Sequence, residues 1–389
     1  MSERAFTHMG SRTDASGKKY KRIYQELREA LAAGRYRPGD KLPAEIELVE
    51  QFGASRPTVG RALAKLESEG LVHRRAGSGT FVRDQSDQKG YVFGLLIPEL
   101  GQTEIFEPIC QGMSRDRLGS RHELLWGRST HSGAPKELQA EQLCESYLKR
   151  SVSGIFFAPL EHSVRKDEVN LRIAGALDEA HIPLILLDRD IYEFPKRSHY
   201  DLVGIDNRRA GFTITEHLLL SGCKRIVFFA LPYSAPTVNM RISGYRRAIT
   251  ASLGSEAVEL VEYGDPSDVS IIRDLLFRLR PDAFVCANDY TAAQVMTTLN
   301  TIGVAVPLEV KVVGIDDVKY ASLVKVPLTT IHQPCQDLGA TAVLAMLDRI
   351  AHPETPSRDF LVDFHLVIRE SCGSNPNVVS EAHGLDQHR

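Results

Sequence analysis

Between residues 91 and 370, strand-length apolar runs alternate with longer stretches of helical periodicity, and no other feature restricts the fold as much. Apolar runs fall at 91–97, 123–126, 154–158, 184–187, 202–205, 225–230, 283–287 and 311–314. Amphipathic stretches at 136–148, 171–180, 210–221, 242–253, 270–279 and 292–302 separate most of them. Strand–helix–strand repeats build a parallel sheet covered on both faces, because a helical crossover returns each strand in the same direction. Roughly ten strands exceed one comfortable doubly wound sheet, so an α/β body of two similar lobes is expected. Clefts in such folds lie beyond the carboxyl ends of the strands.

Polar residues follow the strand ends where a cleft would need them. Asp188, Arg189 and Asp190 follow 185–187, Asn288 and Asp289 follow 284–287, and Asp316 and Asp317 follow 312–315. Carboxylates and amides can each engage vicinal hydroxyls, and arginine can fork onto a hydroxyl pair or an acid. Any one of these aspartates could be an ordinary cap or turn residue. Their repetition at successive strand ends points to a small-molecule site with apolar walls and a few convergent polar groups.

Residues 18–83 read differently. Tyr20, Ile23, Tyr24, Leu27, Ala30 and Leu31 form one helical stripe, which Gly34 and Pro38-Gly39-Asp40 end. A second short helix after Pro43 is expected to face inward through Ile46, Val49 and Phe52, with Glu45 and Glu47 in its first turn. In the third, Ser55 is placed to cap and Pro57 suits the first turn, while Val59, Ala62, Leu63 and Leu66 make the buried face. Arg56, Thr58, Gly60, Arg61 and Lys65 are left for the opposite face, and a helix with cationic and small residues there fits a major groove. Residues 71–82 then form a hairpin, with Arg74 and Arg75 leading into a tip of Gly77, Ser78 and Gly79 before Thr80. This makes a wing that can approach a sugar-phosphate strand.

Charge agrees with that division. The net charge of −3 hides a head, residues 1–90, with 17 Lys and Arg against 12 Asp and Glu, leaving 30 against 38 for the remainder. A basic head on an acidic body expects a polyanionic partner at the head alone. Residues 84–90 read as a polar tether and 371–389 as a disordered tail. Cys110, Cys144, Cys223, Cys286, Cys335 and Cys372 show no ligand spacing, so reduced thiols in a cytoplasmic protein without metal or other cofactor are expected. No apolar run is long enough for a membrane span, and the N-terminus lacks a secretory signal's apolar core.

Two resemblances sharpen this reading. The opening helix, Pro38-Gly39-Asp40-Lys41-Leu42-Pro43-Ala44-Glu45, Ser55-Arg56-Pro57-Thr58-Val59 and Gly77-Ser78-Gly79-Thr80-Phe81-Val82 resemble, in that order, the winged helix-turn-helix head of the GntR family. Ile46 and Gly60 stand where that family often has arginine, so Arg56 is the base contact carried over most directly. In the body, Asp206-Asn207 through Gly211, Arg241-Ile242-Ser243-Gly244-Tyr245, Cys286-Ala287-Asn288-Asp289, Val313-Gly314-Ile315-Asp316-Asp317 and residues 327–334 resemble the LacI/GalR-type effector domain and its periplasmic sugar-binding relatives. That likeness implies an effector site including Arg241 and Gln333, with Phe106 and Glu107 as first-lobe candidates, and a dimer built from residues 91–370. A GntR head on such a body is similar to the arabinose-type repressors.

The expected function is therefore regulation of transcription by a homodimer on a palindromic double-stranded operator, with a sugar-like effector and repression as the expected sign. An enzyme acting on a sugar, with an accessory DNA-binding head, is the alternative, since paired carboxylates can hydrolyse glycosides. Against it, the chain has no G-x-S-x-G elbow, phosphate-binding loop or metal-ligand cluster. A transport-type binding protein would want a secretory signal and no basic head.

Overall fold

The computed structural model describes residues 11–32, 34–37, 39–75, 78–82, 90–97, 105–115, 122–127 and 134–374. The chain divides into two compact units, residues 1–90 and 91–389.

In the first unit, α1 (Ser11–Ala32), α2 (Glu45–Phe52) and α3 (Arg56–Ser68) precede the strands β1 (Val72–Arg75) and β2 (Gly79–Val82). Ile23, Leu27 and Leu31 of α1 close over Val59, Ala62, Leu63 and Leu66 of α3. At α2 the expected inward position is wrong. Leu48 is fully buried and Ile46 is 69% exposed. At about 100° per residue the two lie some 200° apart, so a helix that buries Leu48, Val49 and Phe52 must turn Ile46 outward. β1 and β2 pair antiparallel with Val72 opposite Val82, and residues 39–42 add a third strip through Leu42 N–H to Thr80 and Val82 N–H to Asp40.

The second unit contains β3 (Val92–Leu96), α4 (Phe106–Arg115), β4 (Glu123–Trp126), α5 (Lys136–Arg150), β5 (Gly154–Phe157), α6 (Lys166–Glu179), β6 (Leu184–Leu187) and β7 (Asp201–Gly204). It continues with α7 (Asn207–Leu220), β8 (Ile226–Ala230), α8 (Pro236–Leu253), β9 (Leu260–Tyr263), α9 (Val269–Leu279), β10 (Ala283–Cys286), α10 (Asp289–Thr301) and β11 (Lys311–Asp316). Finally come β12 (Thr329–His332), α11 (Cys335–Ala351), β13 (Asp359–Leu361) and β14 (His365–Val367). Two six-stranded sheets result, ordered β13-β7-β6-β5-β3-β4 and β14-β12-β11-β10-β8-β9. All pairs are parallel except β12 with β14.

The chain passes between the lobes three times: from β7 into α7, from β12 into α11, and from β13 to β14. Each lobe also has one glycine-lined helix crossing. A Cβ on Gly211 of α7 would meet the Arg241 carbonyl of α8 at 2.0 Å, and one on Gly339 of α11 would meet the Ile109 carbonyl of α4 at 2.0 Å. The body runs past the expected boundary at 370. Ser371 and Cys372 are fully buried, and the Ser371 hydroxyl donates to the Val312 carbonyl at 2.6 Å, tying these residues to β11. The rest of the expected tail, 375–389, and most of the expected tether lie outside the described residues.

Candidate functional site

Strand ends of the two lobes converge on a cavity of about 270 Å³ lined by Phe106, Asp188, Arg189, Arg241, Asn288 and Asp316 among the expected residues. Asp188 (φ 68°), Asp316 (φ 132°) and Asp317 (φ 56°) all leave their strands in the left-handed region. Such backbone costs about 1–3 kcal/mol per residue and gathers at functional sites. One oxygen of Asp188, Oδ1, is buried without a hydrogen-bond partner, and the residue is only 5% exposed.

Two buried arginines organise the cavity. Arg189 contacts Glu161 Oε1 at 2.5 Å and Asp188 Oδ2 at 3.1 Å, with its guanidinium 5.6 Å from the Phe106 ring centre. Arg241 donates Nε to Asn207 Oδ1 at 2.7 Å and Nη1 to the Ala287 carbonyl at 2.6 Å. Its Nη2 lies 3.6 Å from Asp316. Burial pushes the Asp316 carboxyl above the ordinary range despite Arg241. Burial pushes Glu161 the same way, but Arg189, the neighbouring His162 and the hydrogen bonds from Arg189 and the Ala235 N–H together outweigh it and hold that carboxyl at about 2.

Glu161 and His162 are the main residues the sequence reading missed. Both line the cavity, just past β5, where the strand-end rule applies but Pro159 and Leu160 intervene. They also join the lobes. Glu161 accepts from the backbone N–H of Ala235, the N-cap of α8, at 3.3 Å, and His162 N–H donates to the Tyr233 carbonyl at 2.7 Å. A carboxylate at a helix N-terminus is electrostatically favoured. Thr237 and Tyr290 complete the polar lining from the second lobe.

Three expected cleft residues stand elsewhere. Asp289 is fully buried and does not line the cavity. It accepts the Thr330 hydroxyl at 2.6 Å and the Val318 N–H at 3.0 Å, bracing the loop after β11, because the first turn of α10 aims it into its own lobe. Glu107 and Gln333 line an adjoining groove of about 900 Å³ that shares Ile105 and Asp316 with the cavity. Gln333 acts through Asp316, donating Nε2 to it at 2.6 Å.

On the head, Arg56, Arg61, Lys65, Arg75 and Ser78 are exposed, but Thr58 and Thr80 are buried. The Thr58 hydroxyl lies 2.8 Å from that of Ser55, so Ser55 spends its oxygen there and makes no side-chain cap. Thr80 turns inward because β2 alternates and Val82, two residues on, is in the core. Arg74 serves the fold, bonding the Gly60 carbonyl at 3.1 Å and meeting Glu45 at 3.3 Å. Arg75 lies 5.5 Å from the Phe81 ring and Arg61 5.1 Å from that of Tyr20. A concavity between α2, the start of α3 and the wing is lined by Lys41, Arg56, Arg74 and Arg75. Gly77 lies outside the described residues. Among the described residues no helix is long and apolar enough to cross a membrane.

Comparison with known proteins agrees with both parts. Residues 19–82 match the bacterial regulatory proteins of the gntR family, and residues 215–372 match the periplasmic binding protein-like domain. The chain is 29% identical to the arabinose metabolism transcriptional repressor of Geobacillus stearothermophilus, over 91% of this chain and 97% of the relative. It is 30% identical to the HTH-type transcriptional regulator CelR of Thermobifida fusca, over 82% of this chain and 89% of the relative. A solved transcriptional regulator CelR–cellobiose complex superposes with a TM-score of 0.60 at 27% identity, covering 81% of this chain and 90% of that one. A LacI-family regulator from Enterococcus faecium with bound ribose shares the fold at 23% identity and a TM-score of 0.58, covering 72% of this chain and 98% of its own. The chain belongs to the helix-turn-helix transcriptional regulators that join a GntR-family head to a periplasmic-binding-protein-like body.

Proposed function

We propose that this protein is a cytoplasmic transcriptional repressor, homodimeric through its body, whose operator affinity is set by a sugar-like effector held between the lobes. The observation that carries the effector site is the convergence of Phe106, Asp188 and Arg189 from one lobe with Arg241, Asn288 and Asp316 from the other on one interlobe cavity. Apolar walls with a few convergent polar groups suit a small polyhydroxylated ligand. Relatives named for arabinose metabolism and a related regulator in complex with cellobiose support a sugar as the ligand class. Glu161 touches both Arg189 and the N-cap of α8, so ligand contact on the first lobe is felt by the second. At the head, Arg56, Arg61, Lys65, Arg75 and Ser78, with Lys41 added, face the operator.

An enzymatic reading is weakened by how the carboxylates are engaged. Every carboxylate lining the cavity lies against an arginine, Glu161 and Asp188 against Arg189 and Asp316 near Arg241, and Asp289 is turned away from the cavity, an arrangement that suits ligand binding better than the free acid–base pair of glycoside chemistry. The test is a titration with pentoses, hexoses and disaccharides, following thermal stability with and without the protein's own promoter DNA. One sugar should raise the melting temperature and loosen the DNA complex, since binding to both sites must be reciprocally linked. Intact DNA binding that no sugar alters would defeat the effector assignment, and turnover of the sugar would favour the enzyme.

A further inference from the structure

The head holds an exposed apolar side chain inside a cationic surface. Among the described residues of the head, Ile46 is the one large hydrophobic side chain left in solvent. It lines the concavity between α2, the start of α3 and the wing, together with four basic side chains, Lys41, Arg56, Arg74 and Arg75. Its placement is fixed by the fold. Leu48 and Val49 of the same helix pack into the head's core, and Glu47 accepts the Ala44 N–H at 2.7 Å, closing the first turn. Glu45 meets Arg56 at 3.5 Å and Arg74 at 3.3 Å, which ties that turn to the start of α3 and to β1. Ile46 is thus a rigid apolar knob near the exposed Arg56. On α3, a Cβ added to Gly60 would meet nothing within 4 Å, and Arg74 holds the Gly60 carbonyl at 3.1 Å, so the neighbouring helix crowds nothing there.

A surface of this charge selects a polyanion, and on the operator reading, on which this step rests, that polyanion is duplex DNA. Phosphate oxygens and polar base edges gain nothing from an isoleucine, which would strip their water and return no hydrogen bond. The apolar group that a major groove presents is the C5-methyl of thymine; the other bases show donors and acceptors there. We infer that Ile46 reads a thymine methyl group in each operator half-site, close to the base pair that Arg56 contacts. One concavity then reads one pair by hydrogen bonds and a T·A pair by apolar contact. Base preference is set by the first turn of α2 as well as by α3.

The experiment is fluorescence anisotropy of the full-length protein on its own promoter DNA, narrowed by footprinting to the protected operator, with each thymine replaced in turn by deoxyuridine. That change deletes the C5-methyl and keeps the base pairing. At one thymine in each half-site the replacement should weaken wild-type binding by about fourfold, the scale of one buried methylene. Ile46→Ala should bind the thymine and deoxyuridine forms of that site equally. Its melting temperature should match wild type, because the side chain is exposed. A wild-type protein indifferent to every thymine methyl overturns the inference while leaving the operator reading standing. So does an Ile46→Ala protein that keeps the full deoxyuridine penalty at every sensitive thymine. Loss on operator and random DNA alike, with that penalty kept, would place Ile46 against the sugar-phosphate strand instead and equally overturns it. A wild-type protein that binds its promoter no better than random DNA sinks the operator reading itself, and this inference with it.

Discussion

Replacing Arg241 with alanine removes a side chain that serves both the fold and the cavity. Its guanidinium, whose side chain is 5% exposed, bonds Asn207 at the start of α7 and the Ala287 carbonyl at the end of β10. Each buried acceptor left unpaired costs about 1–3 kcal/mol. Stranding the charge of Asp316 would add about 3–5 kcal/mol, but burial already favours the protonated form of that carboxyl, so it takes up a proton instead. The expected loss near neutral pH is therefore about 2–6 kcal/mol, within the roughly 5–15 kcal/mol that holds a typical domain together. Urea unfolding followed by far-UV circular dichroism should show the body's midpoint lowered with its slope unchanged. The deficit should widen at alkaline pH, where Asp316 must ionise without its cation. Sugar-induced stabilisation should disappear, and operator affinity without sugar should persist. An unchanged midpoint would refute the energetic argument, and an intact sugar response would take Arg241 out of the site.

Further outcomes follow from the same geometry. Arg56→Ala should weaken operator binding by about 1–3 kcal/mol and relax base preference. Its side chain is 82% exposed with Glu45 only at 3.5 Å, so stability should barely change; equal loss on operator and random DNA by fluorescence anisotropy would count against base contact. Arg74→Ala should instead lower head stability by about 1 kcal/mol through its Gly60 bond, and a melting temperature equal to wild type would contradict that role. Gly211→Ala drives a Cβ into the Arg241 carbonyl at 2.0 Å and should cost about 1–3 kcal/mol. Gly175→Ala on α6 meets nothing within 4 Å and should gain about 0.5–1 kcal/mol, so thermal denaturation of the pair separates steric from conformational effects. Asp289 and Asp316 are both raised, chiefly by burial. A carboxyl raised on folding lends its stability in full below its unfolded value and loses it as pH rises through the folded value. The body's melting temperature should fall from mildly acidic to alkaline pH, with Asp316→Asn removing part of the slope; a flat profile would argue against these shifts.

What the sequence determined by itself was local. Val59, Ala62, Leu63 and Leu66 mark the buried face of α3, and all four are fully buried. The alternation of apolar runs with helical stretches implied parallel sheets, because side-chain periodicity is a property of one element at a time. The polar strand ends implied a cleft for the same reason. Tertiary structure decided which of those polar groups meet. Asp316 enters the cavity while Asp289 braces a loop, and both had the same local signature. Thr58 was placed on the outer face, but its first-turn position turns it towards Ser55. Glu161 became a cavity residue only because β5 and β8 bring their following loops together across the lobes. The return of α11 to the first lobe, against α4, and of Ser371 to β11, depends on three passages between lobes, which periodicity does not record. A sequence pattern states which face of an element avoids water; which partner covers that face is settled only by packing the whole chain.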